Sequence, residues 1–391
     1  MGQSPPSGDY AHSPEDGLPF LQGTADFGPL TPVPLVFCAS PTKVAARGDV
    51  LFSVRAPVGE LNVADQEVGI GRGLCAIRAG AAWVPRFGWW ALHEARHQLN
   101  YVSTGSTYEA VATADVANLL VEHAALDDQR AIADYLDRET ARLDALVAAK
   151  ERVLGLLAEK RRALITRAVT RGLDPSAPLR DSGIPWLGEI PAHWDLCHLK
   201  RVLASFDYGI SESVEPVGTV AVLRMGDIQD GEVDYSKLGF VDAVDQALLL
   251  QPGDLLFNRT NSLDQIGKVA LFRGKVNYPV SFASYLVRLR CGPRALPEFL
   301  NWLLNSAFPV AWGRSEALPA IGQANLNPNR YGYLPIALPP LEEQRGIIAA
   351  IHGAIGKLDA VRAATERTVG LLKERRDALI AAAVTGQLEV A

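Results

Sequence analysis

The sequence predicts an α+β protein in which one unit is written twice: two domains of mixed α/β structure, each followed by a long helix. Three observations carry that expectation. The chain matches itself at a fixed offset, the matching blocks share a coiled-coil-like apolar seam, and the segments outside them alternate short apolar runs with turn residues.

Shifting the sequence by 215 residues lays residues 126–173 on residues 341–388 without a gap, with 23 identities in 48 positions. A repeat of that quality fixes the architecture before any local propensity is weighed. Weaker but co-ordered similarity precedes it, Gly48-Asp49-Val50-Leu51-Phe52 against Gly253-Asp254-Leu255-Leu256-Phe257, and Phe87-Gly88-Trp89-Trp90 against Phe299-Leu300-Asn301-Trp302.

Within the repeated block Ile132, Leu136, Leu143, Leu146, Val153, Leu157 and Leu164 follow the alternating three-and-four spacing of a coiled-coil seam. Ile347, Ile351, Leu358, Val361, Leu372 and Leu379 keep it in the second copy. Pro339-Pro340 followed by Leu341-Glu342-Glu343 is a helix start, with proline near the first turn and acids at the positive end of the dipole. Each helix runs about 45 residues, roughly 65–70 Å. Its stripe must be covered either by its own globular domain or by the other copy, and the equal length and register favour mutual packing.

The remaining segments read as mixed α/β domains, with strands at Val50-Leu51-Phe52-Ser53, Cys75-Ala76-Ile77, Val220-Ala221-Val222-Leu223, Val269-Ala270-Leu271-Phe272 and from Tyr285. Residues 173–193 contain enough proline and glycine to exclude regular structure and read as a linker. The expected division is 1–124 (first domain), 125–172 (first helix), 173–193 (linker), 194–338 (second domain) and 339–391 (second helix).

With 48% hydrophobic and 21% charged residues the chain is expected to be globular. No apolar run approaches a membrane span, and Met1-Gly2-Gln3-Ser4-Pro5-Pro6-Ser7 has no signal-peptide character, so a cytoplasmic location is expected. Cys38, Cys75, Cys197 and Cys291 are far apart and read as reduced thiols. The net charge of -6 argues against bulk electrostatic binding of nucleic acid, but residues 255–290 hold six Lys/Arg and one acid, a local basic patch.

The doubled helix block headed by Leu338-Pro339-Pro340-Leu341-Glu342-Glu343-Gln344-Arg345, its copy at Ala125-Leu126-Asp127-Asp128-Gln129-Arg130, the linker phrase of residues 182–194 and the opening Gly2-Gln3-Ser4-Pro5-Pro6-Ser7 resemble the DNA-specificity subunit of type I restriction-modification systems over nearly the whole chain. The resemblance implies two target-recognition domains, each reading one half of a split, asymmetric site in double-stranded DNA. It implies an antiparallel coiled coil separating them, no catalysis of the chain's own, no cofactor, two modification (methyltransferase) subunits as partners, and restriction (endonuclease/translocase) subunits in the full complex. One departure stands out. Aligning Met1-Gly2 with Tyr208-Gly209 leaves residues 194–207 without a counterpart, so the first domain is expected to be truncated at its start and to lack an opening strand.

His93-Glu94-Ala95-Arg96-His97 satisfies H-E-x-x-H, two imidazoles one helical turn apart with a glutamate base, and a zinc-dependent hydrolase using these residues with Glu109 or Glu122 as third ligand is the alternative function. The second copy places Asn305 to Pro309 there, without histidine or glutamate, which favours a plain amphipathic helix. Gly69-Ile70-Gly71-Arg72-Gly73 lacks the third glycine of a dinucleotide fingerprint and reads as a turn, and Asn327-Pro328 lacks the second proline and aromatic of an adenine-methyltransferase signature. A coiled-coil adaptor without DNA contact is a third class. What remains is binding chemistry on glycine-rich loops, for which the candidates are Arg55 and Arg72 in the first domain and Arg259, Asn261, Ser262 and Lys268 in the second; no metal ligand or catalytic residue is assigned.

Overall fold

The computed structural model describes residues 1–101, 110–320 and 322–390. Contacts divide the chain into two compact units, one of Met1–Glu151 with Glu366–Ala391, the other of Arg152–Thr365.

In the first unit a five-stranded sheet runs in the order Tyr10–Ala11, Val36–Cys38, Leu18–Leu21, Val68–Ile70, Val44–Ala45, with Leu18–Leu21 and Val68–Ile70 parallel and the other pairs antiparallel. A three-stranded antiparallel sheet, Leu61–Val63, Val50–Ser53, Leu74–Ile77, follows, and helices Pro85–Ala95 and Thr113–Ala117 complete the unit. The second unit repeats this plan. Val220–Leu223 lies between Gly239–Val241 (antiparallel) and Val280–Phe282 (parallel), and an antiparallel sheet runs Leu203–Tyr208, Leu286–Cys291, Leu255–Asn258, Val269–Leu271. Asp195–His198 pairs with Pro335–Leu338, and Thr260–Asn261, Gln323–Asn325 and Leu318–Ala320 form a further small sheet.

The Gly-Asp phrase that opens the corresponding strands is a structural device. Gly48 and Gly253 have φ of 89° and 101°, a region that glycine enters without steric penalty. The aspartate after each is then buried where its carboxylate accepts a fork from one arginine, Arg78 to Asp49 (2.8 and 2.7 Å) and Arg290 to Asp254 (2.8 and 2.8 Å). The same carboxylates accept the backbone N–H of Ala46 and of Gln251. Burial works against a charged Asp49, yet the fork and the Ala46 N–H hold its carboxyl below the usual carboxylate range.

The long helices span Leu126–Arg171 and Leu341–Val384. They run antiparallel in each unit. Arg376 meets Asp144 at 3.0 Å and Lys373 meets Glu151 at 3.3 Å in the first, and Arg161 pairs with Asp359 in the second. Both ways of covering the stripe occur. Ile132 and Leu136 pack with Phe87 and Trp90 of their own domain and with Ile380 and Ala383 of the other helix, and Ile347, Ile351 and Ile355 do the same with Phe299, Leu300 and Val169. The seam expected from sequence is not buried throughout. Leu146, Val153 and Val361 are exposed.

Residues 173–193 are more regular than their composition predicts. Leu179–Asp181 pairs antiparallel with Glu189–Pro191, and Ile190 is fully buried. The prolines permit this because Pro178 precedes the first strand and Pro191 ends the second, where a missing ladder donor is harmless. All four cysteines are free, Cys38 and Cys75 buried and Cys197 and Cys291 partly so. No described helix is long and apolar enough to cross a membrane.

Candidate nucleic-acid interface

In the second unit the strand Leu255–Asn258 delivers Arg259 to the surface. Its backbone is pinned on both sides, its N–H donating to the Tyr285 carbonyl (3.1 Å) and its carbonyl accepting from Leu326 N–H (2.8 Å). One guanidinium nitrogen donates to Asn325 Oδ1 at 2.9 Å, and the group lies over the Tyr208 ring at 5.2 Å. Its Nε has no hydrogen-bond partner among the described residues. Asn261 pairs in register with Ala324, and its Oδ1 accepts the N–H of Ser262, which is exposed. Lys268 donates to Gln265 Oε1 at 2.7 Å. Arg259, Asn261, Ser262 and Lys268 therefore share one loop held by the sheet Thr260–Asn261, Gln323–Asn325, Leu318–Ala320.

The broader basic patch of residues 255–290 does not survive folding. Arg273 is paired with Glu232 and Glu298, Lys275 with Glu232, buried Arg288 with Asp207, and Arg290 with Asp254. These carboxylates come from distant positions, so a window of sequence counts the cations and misses their partners. Among the described residues, Arg259 and Lys268 are the two of the six whose side chains hydrogen-bond to neutral amides, Asn325 and Gln265. Sequence reasoning missed Tyr208, Tyr285 and Asn325, which complete the surface with two exposed aromatic rings and an amide. The available signal was the alignment of Tyr208-Gly209 with Met1-Gly2.

In the first unit Arg55 and Arg72 are both exposed. The position equivalent to Arg259 is Val54, whose N–H donates to the Gly73 carbonyl and whose carbonyl accepts from Val111 N–H. Arg55 is the next residue, bridged to Ala110 as Thr260 is to Asn325. A shift of one residue along a strand turns a side chain to the opposite face, so Arg55 and Arg259 are not presented alike. Arg72 lies on the turn after Val68–Ile70, its N–H 3.4 Å from Ser4 Oγ. The glycines around it serve close approach, since a Cβ on Gly69 would meet the Phe20 ring at 2.6 Å and one on Gly73 the Gln22 carbonyl at 2.4 Å. Asn327-Pro328 is likewise structural, the Asn327 side chain capping the turn Pro328–Tyr331.

The zinc geometry is not formed. The helix Pro85–Ala95 gives way to a 3-10 turn, Arg96–Tyr101, before His97, which is exposed, while His93 is buried against Trp89 and Trp90. Burial, with Arg96, Arg376 and His97 adding positive charge, pushes His93 down to about 3. Glu109 lies outside the described residues, Glu122 is exposed, and no group of three His, Cys, Asp or Glu among the described residues is placed to hold a metal.

No protein-family model matches the chain. Among curated proteins it is 34% identical over 165 residues to the MjaX type I restriction enzyme specificity subunit of Methanocaldococcus jannaschii, covering 40% of this chain and 39% of that one. It is 23% identical over 300 residues to the EcoKI specificity subunit of Escherichia coli K12, covering 75% of this chain and 63% of that one. The matches thus span less than two thirds of these relatives. Among solved structures, a chain from a study of complex assembly in a type I R-M system superposes with a TM-score of 0.76 at 19% identity, covering 95% of this chain and 92% of that one. The HsdS subunit of Thermoanaerobacter tengcongensis gives 0.55 at 19% identity, covering 95% and 91%. In sequence and in fold, the chain resembles the specificity subunits of type I restriction-modification systems.

Proposed function

We propose that this chain is the non-catalytic DNA sequence-specificity subunit of a type I restriction-modification complex, with residues 1–124 and 194–338 as its two target-recognition domains. The carrying observation is that the two units share their interior devices, such as the Asp49–Arg78 and Asp254–Arg290 forks, and differ on one face. Tyr208 and Asn325 in one stand where Met1 and Ala110 stand in the other, and partly exposed Arg259 stands where Val54 is buried in the core. A common scaffold with unlike faces suits a split, asymmetric site in double-stranded DNA. Arginine and asparagine are the side chains that pair with guanine and adenine edges, and Arg55, Arg72, Asn261, Ser262 and Lys268 are the further contacts assigned to bases or phosphates.

With a net charge of -6 the chain itself neutralises few phosphates, so most of the affinity comes from partners, the modification (methyltransferase) subunits, of which two are proposed, with restriction subunits in the full cytoplasmic complex. Electrophoretic mobility shift tests this. Tight, sequence-selective binding of duplex DNA is expected only when modification subunits are added. Selective binding by the isolated chain in about 0.2 M salt, as tight as that of the assembly, contradicts the division of labour.

A further inference from the structure

Arg259 is held differently from the other arginines of its stretch. Arg273, Arg288 and Arg290 each meet a carboxylate, whereas Arg259 makes no ion pair among the described residues and is fixed by neutral groups alone. One Nη donates to Asn325 Oδ1 at 2.9 Å, the guanidinium lies 5.2 Å from the centre of the Tyr208 ring, and the buried Nε has no hydrogen-bond partner among the described residues. Both holding side chains stand on paired strands, Tyr208 opposite Val287 and Asn325 opposite Thr260, the residue after Arg259. An amide and a ring leave the positive charge unneutralised, which a carboxylate would not. Because the Nε is closed off, a ligand reaches the guanidinium through its Nη groups, and the Asn325 bond and the Tyr208 ring fix the plane in which these point.

A planar cation held in one orientation suits two acceptors that lie in one plane. A phosphate offers its oxygens over a wide range of directions and needs no such constraint, whereas the O6 and N7 of a guanine in the major groove do. We infer that Arg259 reads one guanine in the half-site of the second unit, and that Asn325 and Tyr208 are its positioning residues, which fix the choice of base through it. The inference rests on the DNA-reading function proposed above. The first unit carries no counterpart, since Val54 at the equivalent position is fully buried, so the other half-site is read by other groups.

The full chain assembled with its modification subunits, on duplexes carrying its methylated site, provides the test. Each guanine is replaced singly by 7-deazaguanine, which pairs normally and lacks N7. At one guanine, in one half-site, the replacement should weaken binding about tenfold for the wild type and less than about twofold for Arg259→Ala, the non-additivity of a direct contact. Asn325→Ala and Tyr208→Ala should relax the choice at that base pair alone, with Tm unchanged because both side chains are exposed, while Tyr208→Phe, which keeps the ring, should retain it. Three results overturn the inference while the site is still read. They are a 7-deazaguanine penalty that Arg259→Ala leaves intact, a uniform weakening over all sequences with a shallower salt dependence, as for a phosphate contact, and relaxed choice at a different base pair in Asn325→Ala. A wild-type assembly without sequence preference overturns the specificity-subunit reading itself, and this inference with it.

Discussion

Gln129 and Gln344, 215 positions apart, make the same three hydrogen bonds in their respective units. Each is fully buried near the start of a long helix. Gln129 Oε1 accepts the N–H of Val84 at 2.7 Å and its Nε2 donates to the carbonyls of Ala82 and Ala124; Gln344 Oε1 accepts the N–H of Leu296 at 2.8 Å and its Nε2 donates to the carbonyls of Arg294 and Pro339. Val84 and Leu296 each precede a proline that opens a domain helix. One glutamine thus ties each long helix to the first turn of the domain before it.

Replacing either with leucine strands a buried donor and two carbonyls, each worth about 1–3 kcal/mol when left unsatisfied, so Gln129→Leu and Gln344→Leu should each destabilise by about 3 kcal/mol or more. Urea unfolding followed by tryptophan fluorescence checks this. Similar losses in the two variants support equivalence, and a loss below about 0.5 kcal/mol in either denies it.

The aspartate forks should be unequal. The Arg78 side chain is 66% exposed and that of Arg290 35%, so water screens the first ion pair more. Asp254→Ala is therefore expected to destabilise by about 2–4 kcal/mol and Asp49→Ala by about half as much. Unfolding midpoints decide, and a larger loss in Asp49→Ala runs against the argument.

Buried His93 predicts a pH dependence of the first unit. Its folded-state pKa of about 3 lies below the ordinary value of 6.5, so the unfolded chain binds a proton that the folded chain refuses. Stability is therefore full above about pH 6.5 and falls as pH drops towards 3, by up to about 1.4 kcal/mol per pH unit. His93→Asn, the residue found at the equivalent position 305, should remove that component. Urea midpoints of the two proteins between pH 4 and pH 7 measure it, and parallel curves contradict it.

Much of this architecture was legible in the chain because a repeat needs no physics to detect. The strands at Val50, Val220 and Val269 and both long helices lie where periodicity puts them. The forks were only half legible. The Gly-Asp phrase was visible, but its arginine follows after 29 residues in one unit and 36 in the other, so no fixed spacing announces it. The surface was least legible, since Arg259 finds Asn325 66 positions away and Arg288 finds Asp207 81 away. Exposure of a charge depends on partners that only the fold brings near.

The central claim is that each unit reads one half of a split target. Methylome sequencing of cells carrying this chain with its modification subunits, wild type and Arg259→Ala, tests it most directly. The account predicts a bipartite asymmetric methylated site in the wild type, and in the variant a loss of about 1–3 kcal/mol of discrimination confined to one half. A symmetric or undivided site, or a change in both halves, would contradict it.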